Sequence, residues 1–198
     1  MSALRKPSVD LLYTIHDLDS FPEDGLRREL IEGELYVTEQ PHWHHQYACS
    51  RLALELTNWD ETTGLGIANI APGVIFSIHD AVAPDVVWVS AERLPHILGD
   101  DGKLHDAPDL AVEVLSPGWQ NETRDRDTKL KLYSRRGVRE YWIVDWQKGR
   151  VEVFRRQRAR LVQAATLRNE DELTSPLLPG FACQVASLFL QIPKPPKA

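Results

Sequence analysis

Two carboxylates interrupt the short apolar runs of this sequence. Asp85 directly precedes the run 86–89, and Glu113 lies within the run 110–115. Runs of this length and composition are typical of buried strands. A carboxylate in such a strand is costly unless a partner compensates its charge. Together with Lys129 on a following helix, the two carboxylates indicate a shared compensator, and a divalent metal ion is the simplest choice.

The length of 198 residues and the hydrophobic content of 42% predict a single domain, residues 1–198, with its core at about 14–192 and a frayed Pro-rich C-terminus. The start lacks the apolar stretch of a signal peptide, and no window approaches the ~18 apolar residues of a membrane span. Cys49 and Cys183 fit neither a disulfide framework nor a zinc pair. We therefore expect a cytoplasmic protein with no membrane partner.

The net charge of −6 is unevenly distributed along the chain. Residues 124–160 hold 13 Lys/Arg against 5 Asp/Glu, a local charge of +8, whereas the remainder holds 10 against 24. A basic region on an acidic body can mark a phosphate-bearing partner. It can also be a solvated helix and hairpin with charged faces, and the asymmetry taken alone favours this second interpretation.

Hydrophobic periodicity and turn residues predict an α/β domain with a mixed sheet flanked by helices. Gly64 and Gly137 end two of the predicted helices, and Gly33 marks a turn or bulge within the strand-like segment 29–38. Helices are predicted at 14–20, 44–62 and 124–136, strands at 67–70, 73–78, 84–90, 109–115, 140–145 and 150–155, and one or two short strands and an apolar segment after residue 161.

Lys129 faces the apolar side of its predicted helix. At about 100° per residue, Leu132 and Tyr133 lie near it on the helical wheel, whereas Lys131 points away. A lysine rarely lies on a buried face without a partner. Asp125 shares this face, so the two residues form either a local ion pair that supports the helix or part of a catalytic site. The two strand carboxylates favour catalysis.

These residue types suit the hydrolysis of a phosphodiester. Oxygen ligands hold Mg²⁺ or Mn²⁺, and such an ion activates water and stabilises the leaving oxygen. A nearby lysine stabilises charge on the phosphate or, when desolvated, loses its proton and acts as a base. The set of Asp85, Glu113 and Lys129 therefore predicts a metal-dependent site.

Six short motifs follow one another in an order that covers roughly residues 14–190. They are ELIEGE at 29–34, HQ at 45–46, APDVV at 83–87, DLAVEVLSP at 109–117, RDRDTKLKLY at 124–133 and GVREYWIVD at 137–145. This ordered set resembles the Uma-type restriction endonuclease family of the PD-(D/E)xK nuclease superfamily. The resemblance implies a restriction-endonuclease-like fold and a Mg²⁺- or Mn²⁺-dependent endonuclease that acts on DNA.

The resemblance also implies roles for particular residues. Asp85 and Glu113 would be metal ligands, the Leu115 carbonyl would be a third, and Lys129 would be catalytic. The superfamily pattern expects a lysine two residues after the glutamate, where this chain has Leu115, and Lys129 would replace it from the next helix. Glu34 would be an extra N-terminal carboxylate beside the metal.

Further expectations complete the prediction. Glu32 and Glu29 are less favoured alternatives to Glu34. We expect His45 to help cap its helix rather than to face a cleft, and Trp119 is the one tryptophan to be tested as a substrate contact. We also expect a homodimer. A nuclease-fold module that binds nucleic acid or a protein without cutting is the main rival, and a metal site that acts on another phosphoester is a further alternative.

Overall fold

The computed structural model describes residues 12–18, 20–22 and 24–190. The expected frayed C-terminus, with its prolines at 193, 195 and 196, lies outside the described residues, as does the start of the chain.

Helices and strands alternate along the chain in a mixed α/β order. The helices are α1 (Ile15–Leu18), α2 (Trp43–Thr63), α3 (Leu94–Ile97), α4 (Trp119–Thr123), a π-helical segment (Arg124–Lys129), α5 (Leu130–Arg136) and a 3₁₀ helix (Val185–Leu188). The strands are β1 (Arg27–Ile31), β2 (Glu34–Thr38), β3 (Gly66–Ile70), β4 (Val74–Ser77), β5 (Asp80–Val82), β6 (Val86–Ser90), β7 (Leu110–Val114), β8 (Glu140–Asp145), β9 (Arg150–Gln157), β10 (Arg160–Arg168), β11 (Glu172–Ser175) and β12 (Leu178–Gln184).

The strands form three sheets. A mixed six-stranded sheet has the order β10-β9-β8-β7-β6-β3, a four-stranded sheet has the order β2-β1-β5-β4, and β11 pairs with β12. Strands β7 and β8 are parallel, and the chain between them forms α4, the π-helical segment and α5. Parallel neighbours need a crossover of this kind, because a tight turn reverses the direction of the chain.

The six-stranded sheet is buried on both faces at its centre. Side chains alternate along β8, so that Trp142 and Val144 join a core with α2, whereas Tyr141 and Ile143 join a second core with Tyr133 of α5. Burial on both faces explains why β6, β7 and β8 are almost continuously apolar in sequence. The expected core position of Trp142 is confirmed, and Trp88 is likewise buried.

The strand register brings Asp85 and Glu113 together. Strand β6 pairs antiparallel with β7, with Val86 opposite Val112, and continuing this register by one residue sets Asp85 opposite Glu113. Because Val112 and Val114 point into the α2 core, alternation directs Glu113 to the opposite face, where the crossover helices lie.

Several predicted elements differ in extent from the structure. Segment 29–38 is a hairpin rather than one strand, because Glu32 and Gly33 both have positive φ, 54° and 77°, and reverse the chain. The crossover helix begins at Trp119, in a segment expected to be a loop, and becomes π-helical at Arg124. Strand β5 was not predicted, and the segment after residue 160 forms three strands instead of one or two.

Two leucines of helix α2 allow a direct test of the packing between this helix and the six-stranded sheet. Leu56 is fully buried, whereas Leu54, on the same helix, is 45% exposed. We expect Leu56→Ala to lower the free energy of unfolding by about 2–5 kcal/mol, because it removes buried methyl groups and leaves a cavity. Leu54→Ala should change it by about 0.5 kcal/mol or less. Urea unfolding measures both values, and equal losses would contradict the packing described for α2.

Candidate active site

Four buried carboxylates converge on one buried lysine. Glu29 comes from β1, Asp85 from the residue before β6, Glu113 from β7 and Asp125 from the π-helical segment, and all four are 5% exposed or less. Lys129, at the end of the π-helical segment, is 0% exposed. Charged groups are rarely buried to this degree unless they are paired, so the cluster is held by its own opposite charges.

Lys129 bridges two sheets. Its Nζ lies 2.9 Å from Glu113 Oε1 in the six-stranded sheet and 3.0 Å from Glu29 Oε1 in the four-stranded sheet. Asp125 Oδ1 is farther away, at 3.9 Å. The Tyr133 hydroxyl donates to the same Glu113 oxygen at 2.7 Å. The local Asp125–Lys129 pair expected from helical spacing is therefore the weakest of the three contacts of this ammonium group.

The Asp85 carboxylate is held by three groups from three different elements. Arg27 Nη1 donates to Oδ1 at 3.0 Å, and the Val114 backbone N–H donates to Oδ2 at 2.8 Å. His45 Nε2 lies 3.2 Å from the same Oδ2. Contacts from β1, β7 and α2 thus fix the orientation of this carboxylate.

The surroundings of Glu113 and Asp85 shift the pKa values of these two carboxylates in opposite directions. Burial raises the pKa of Glu113 to about 8, with the charge of Lys129 opposing the shift and the neighbouring carboxylates adding to it. Burial also acts to raise the pKa of Asp85, but the hydrogen bond from His45 and the charge of Arg27 outweigh it, so that this pKa lies below its usual value. Asp85 is therefore the more strongly stabilised anion.

The pKa values of Lys129 and of the other two carboxylates, Glu29 and Asp125, are also shifted by burial and by neighbouring charges. Burial alone would lower the pKa of Lys129, but Glu113 and Glu29 raise it above its ordinary value, so the ammonium form is favoured. Burial acts to raise the pKa of Glu29, yet Lys129 and Arg27 lower it overall. Burial raises the pKa of Asp125. A lysine held in this way is a fixed positive charge and not a general base.

A cavity of about 170 Å³ opens beside the carboxylates. Its wall includes Asp85, Glu113 and Asp125 together with the guanidinium-bearing residues Arg27 and Arg124. A larger cavity of about 670 Å³ lies between β2, α5 and the β9–β10 turn, but none of the four carboxylates lines it. We assign the candidate site to the smaller cavity, because the ionisable groups that could perform chemistry line that one.

The donor set fits a hard divalent cation. Carboxylate oxygens are the ligands that Mg²⁺ and Mn²⁺ prefer. Within the described part of the chain, Glu113 Oε2 accepts no hydrogen bond, and Glu29 Oε2 is a buried oxygen without a partner. The Leu115 carbonyl accepts a hydrogen bond from Trp146 Nε1 at 2.9 Å, and its second lone pair stays available to a ligand.

The structure corrects the expected N-terminal carboxylate. Glu34 is exposed and accepts a hydrogen bond from Tyr36, whereas Glu29 is fully buried against Lys129. Glu32, the other alternative, is exposed in the turn between β1 and β2. The turn reverses the chain between Glu29 and Glu34, which explains why sequence proximity alone did not separate them.

The expected role of His45 as a helix cap is wrong. His42 is the N-cap of α2, and its Nδ1 accepts from the backbone N–H of His44 at 3.2 Å. His45 lies one turn further into the helix, is buried, and lines the cavity beside Asp85. Trp119 is 78% exposed on a separate cavity that also includes Arg124, so its contact with substrate stays a prediction.

The family of this chain follows from comparison with known protein families. The family profile described as "Uma2: Putative restriction endonuclease" matches residues 14–186. The chain belongs to the Uma2 family. The match covers all four carboxylates and Lys129, and the Uma-type resemblance seen in the motifs is thereby confirmed.

A solved structure shares the fold of this Uma2 chain. The crystal structure of a putative nuclease belonging to DUF820 from Anabaena variabilis ATCC 29413 superposes with a TM-score of 0.70 at 20% sequence identity, covering 89% of this chain and 97% of that one. The expected nuclease-like α/β fold is confirmed by this similarity. No curated protein matches the sequence. Within the described residues, no helix is long and apolar enough to cross a membrane.

Most cations of the basic segment in this Uma2 chain are used inside the fold. Arg126 contacts Glu152 and lies 3.5 Å from Asp145, while Arg156 donates to the carbonyls of Tyr133 and Ser134. Further ion pairs are Arg136–Asp80, Arg139–Asp109, Arg150–Asp145 and Arg155–Glu140. The local charge of +8 already counts the acidic residues inside the segment, and it is further compensated by six acidic partners outside it: Glu29, Glu32, Asp80, Asp109, Glu113 and Glu122. It is therefore poor support for a phosphate-binding face.

The raised pKa of Glu113 predicts a pH dependence of stability. Its folded-state value of about 8 lies above the ~4.3 of an unfolded glutamate, so between these values the folded protein holds a proton that the unfolded chain has lost. Without added metal, this group should therefore reduce stability as pH rises from about 5 to 8. Glu113→Gln should remove that contribution, as measured by urea unfolding across this range with a chelator. Glu34→Gln should keep the wild-type slope, and an unchanged slope in Glu113→Gln would contradict the assignment.

Proposed function

We propose that this Uma2 chain is a metal-dependent endonuclease that hydrolyses DNA phosphodiester bonds. The observation that carries the proposal is the juxtaposition of Asp85 and Glu113, which oppose each other on adjacent strands and line one cavity. The description of the family supports a nuclease. Mg²⁺ or Mn²⁺ as cofactor and DNA as substrate are the more specific parts of the proposal.

Three groups would hold the ion. Asp85 and Glu113, which line the cavity, offer carboxylate oxygens. The carbonyl of Leu115, just after β7, is the third ligand that the family resemblance implies, although Leu115 is not among the residues that line the cavity. A bound divalent ion would lower the pKa of a water molecule and stabilise charge on the phosphate oxygens. Glu29 is too closely held by Lys129 and the Ala83 backbone N–H to be assigned as a ligand, although its second oxygen has no partner.

The remaining charged residues position the ligands and the phosphate. Lys129 is not among the residues that line the cavity, so in this proposal it orients Glu113 and opposes the rise of its pKa instead of contacting the phosphate. Arg27 and Arg124 do line the cavity, and a guanidinium group can donate two parallel hydrogen bonds to the oxygens of one phosphate. These two arginines are therefore proposed to hold the phosphodiester beside the strand carboxylates.

One observation favours the rival of a binding module without catalysis. Both oxygens of Asp85 already have protein partners, and Glu113 shares one oxygen with Lys129 and Tyr133. A cluster that compensates its own charges can be purely structural. Calorimetric titration with Mn²⁺ separates the two functions, because the module predicts no binding, whereas the endonuclease predicts binding that Glu113→Gln weakens.

The endonuclease should lose activity when either strand carboxylate is neutralised. We expect Asp85→Asn and Glu113→Gln each to reduce Mg²⁺- or Mn²⁺-dependent nicking of supercoiled plasmid at least about 100-fold, because the site loses a charged ligand. Glu34→Gln is the matched control and should nick at the wild-type rate. The proposal fails if the purified wild-type protein cleaves neither DNA nor RNA with several divalent metals.

The two neighbouring lysines of the crossover should behave differently. Lys129→Met should lower stability by about 3–5 kcal/mol, because it leaves Glu29 and Glu113 buried without their shared cation. It should also abolish nicking, measured at a temperature where the variant is folded. Lys131→Met, at an exposed position of α5, should leave both properties unchanged.

A double variant distinguishes charge compensation from a general loss of packing. Adding Glu113→Gln to Lys129→Met should recover part of the lost stability, because one unpaired buried charge is removed, while nicking stays absent. If the double variant loses as much stability as the two single variants lose together, the role given to Lys129 is contradicted. The homodimer and the cytoplasmic location stay predictions from the sequence.

A further inference from the structure

Helix α2 carries two buried polar side chains that the proposed chemistry does not use. His45 and Cys49 are one helical turn apart, 5% and 2% exposed, and both point toward Asp85. The His45 ring has one neighbour at each nitrogen: Nε2 lies 3.2 Å from Asp85 Oδ2, and Nδ1 lies 3.6 Å from Cys49 Sγ. The three groups form a chain with the imidazole in the middle.

We propose that Cys49 and His45 form a hydrogen-bond relay that orients the Asp85 carboxylate. The thiol of Cys49 donates to Nδ1 of His45, and the N–H at Nε2 donates to Asp85 Oδ2. His45 is a positioning residue: Asp85 fixes its tautomer, and the Cys49 thiol satisfies the nitrogen that is left as an acceptor. The inference rests on the proposed function only in that it treats Asp85 as a metal ligand.

The direction of each hydrogen bond follows from the inventory of donors and acceptors. An ionised carboxylate is only an acceptor, so the nitrogen that faces Asp85 must carry a proton. In a neutral imidazole the other nitrogen is then an acceptor, and the neighbour recorded at Nδ1 is the Cys49 sulfur. Burial raises the pKa of the Cys49 thiol well above its usual value, and the nearby carboxylates add to the shift, so the sulfur keeps its proton.

A neutral imidazole suits a ligand carboxylate better than a cationic one. An imidazolium would place a positive charge 3.2 Å from Asp85 and would oppose a divalent cation at the same carboxylate. A neutral N–H donor fixes the orientation and leaves the full negative charge available. Partners of this kind, bonded to a metal ligand but not to the metal, typically change metal affinity by about 10–100-fold.

Two other functions of the trio fit the geometry less well. A nucleophilic thiol needs access and a lowered pKa, whereas Cys49 is buried and its pKa is raised. A single ion bound by His45, Cys49 and Asp85 would need one ring nitrogen to face both partners. The sulfur and the carboxylate lie at different nitrogens of the ring, which favours a relay over a thiolate metal site.

The tautomer of His45 tests the relay directly and independently of metal or cleavage. We expect long-range ¹H–¹⁵N NMR of the metal-free full chain at neutral pH to show His45 protonated at Nε2 and not at Nδ1. Cys49→Ser, which keeps a donor, should preserve the ¹⁵N shift of a hydrogen-bonded Nδ1, and Cys49→Ala should move this shift toward that of an acceptor without a partner. Cys183→Ala, at the other buried cysteine, should change nothing. A proton on Nδ1 in the wild type, or the same spectrum in Cys49→Ala, overturns the relay.

Metal affinity tests the consequence for Asp85. We expect His45→Ala to weaken Mn²⁺ binding in calorimetry by about 10–100-fold, and His45→Gln, whose amide offers an N–H donor, to recover most of the loss. Unchanged affinity in His45→Ala overturns the positioning role. Titration with Co²⁺ should give no thiolate charge-transfer absorption. Such absorption would show that Cys49 ligates the ion and would overturn the relay. Absence of Mn²⁺ binding in the wild type defeats the proposed function, while the NMR result still decides the relay.

Discussion

The site depends on the ion pairs that the buried ammonium group of Lys129 makes with two carboxylates. It lies within 3.0 Å of one carboxylate from each of the two larger sheets, so it joins the β1 strand to the β7 strand through a single charge. Without this cation, Glu29 and Glu113 would be buried anions in mutual repulsion, and the packing between the sheets would have to admit water or protons. The π-helical segment matters because it delivers Lys129 and Asp125 to this position. Irregular turns of this type are frequent at functional sites in helices.

The strand register provides the second constraint. A shift of one residue in β7 would move Glu113 to the α2 side of the sheet, beside Trp142, and would move Val112 and Val114 to the opposite face. The apolar residues on both faces of β6 to β8 make such a shift costly, since every buried side chain would change sides. The core therefore holds Asp85 opposite Glu113, and the polar site is stabilised chiefly by apolar packing around it.

The sequence predicted the parts of this site that lie in continuous apolar runs and missed those that depend on turns and tertiary contacts. Strand β8 was predicted with its exact bounds, and β6 and β7 within two residues, because burial on both faces leaves an unbroken apolar signature. Lys129 was found because a lysine on an apolar helix face has few explanations. Gly33 indicated a turn or bulge, but not that Glu32 also has positive φ and that the chain reverses to leave Glu29 buried and Glu34 exposed, so the sequence did not separate these two carboxylates. His45 was misplaced because local capping rules cannot show a partner forty residues away.

In the proposed function, the balance of charge in the site links metal binding to substrate binding. Glu29, Asp85, Glu113 and Asp125 carry four negative charges when all are ionised, against three positive charges from Lys129, Arg27 and Arg124. Burial raises the pKa of Glu113, and this excess of negative charge adds to the shift even though Lys129 contacts it. A phosphodiester would meet net repulsion in the cavity, whereas a divalent ion would reverse the sign of the total and turn repulsion into attraction. Because the basic segment is largely neutralised by internal ion pairs, the rest of the surface offers little to offset that repulsion. The electrostatics of the site therefore favour ordered binding, in which the cation enters before or with the phosphate.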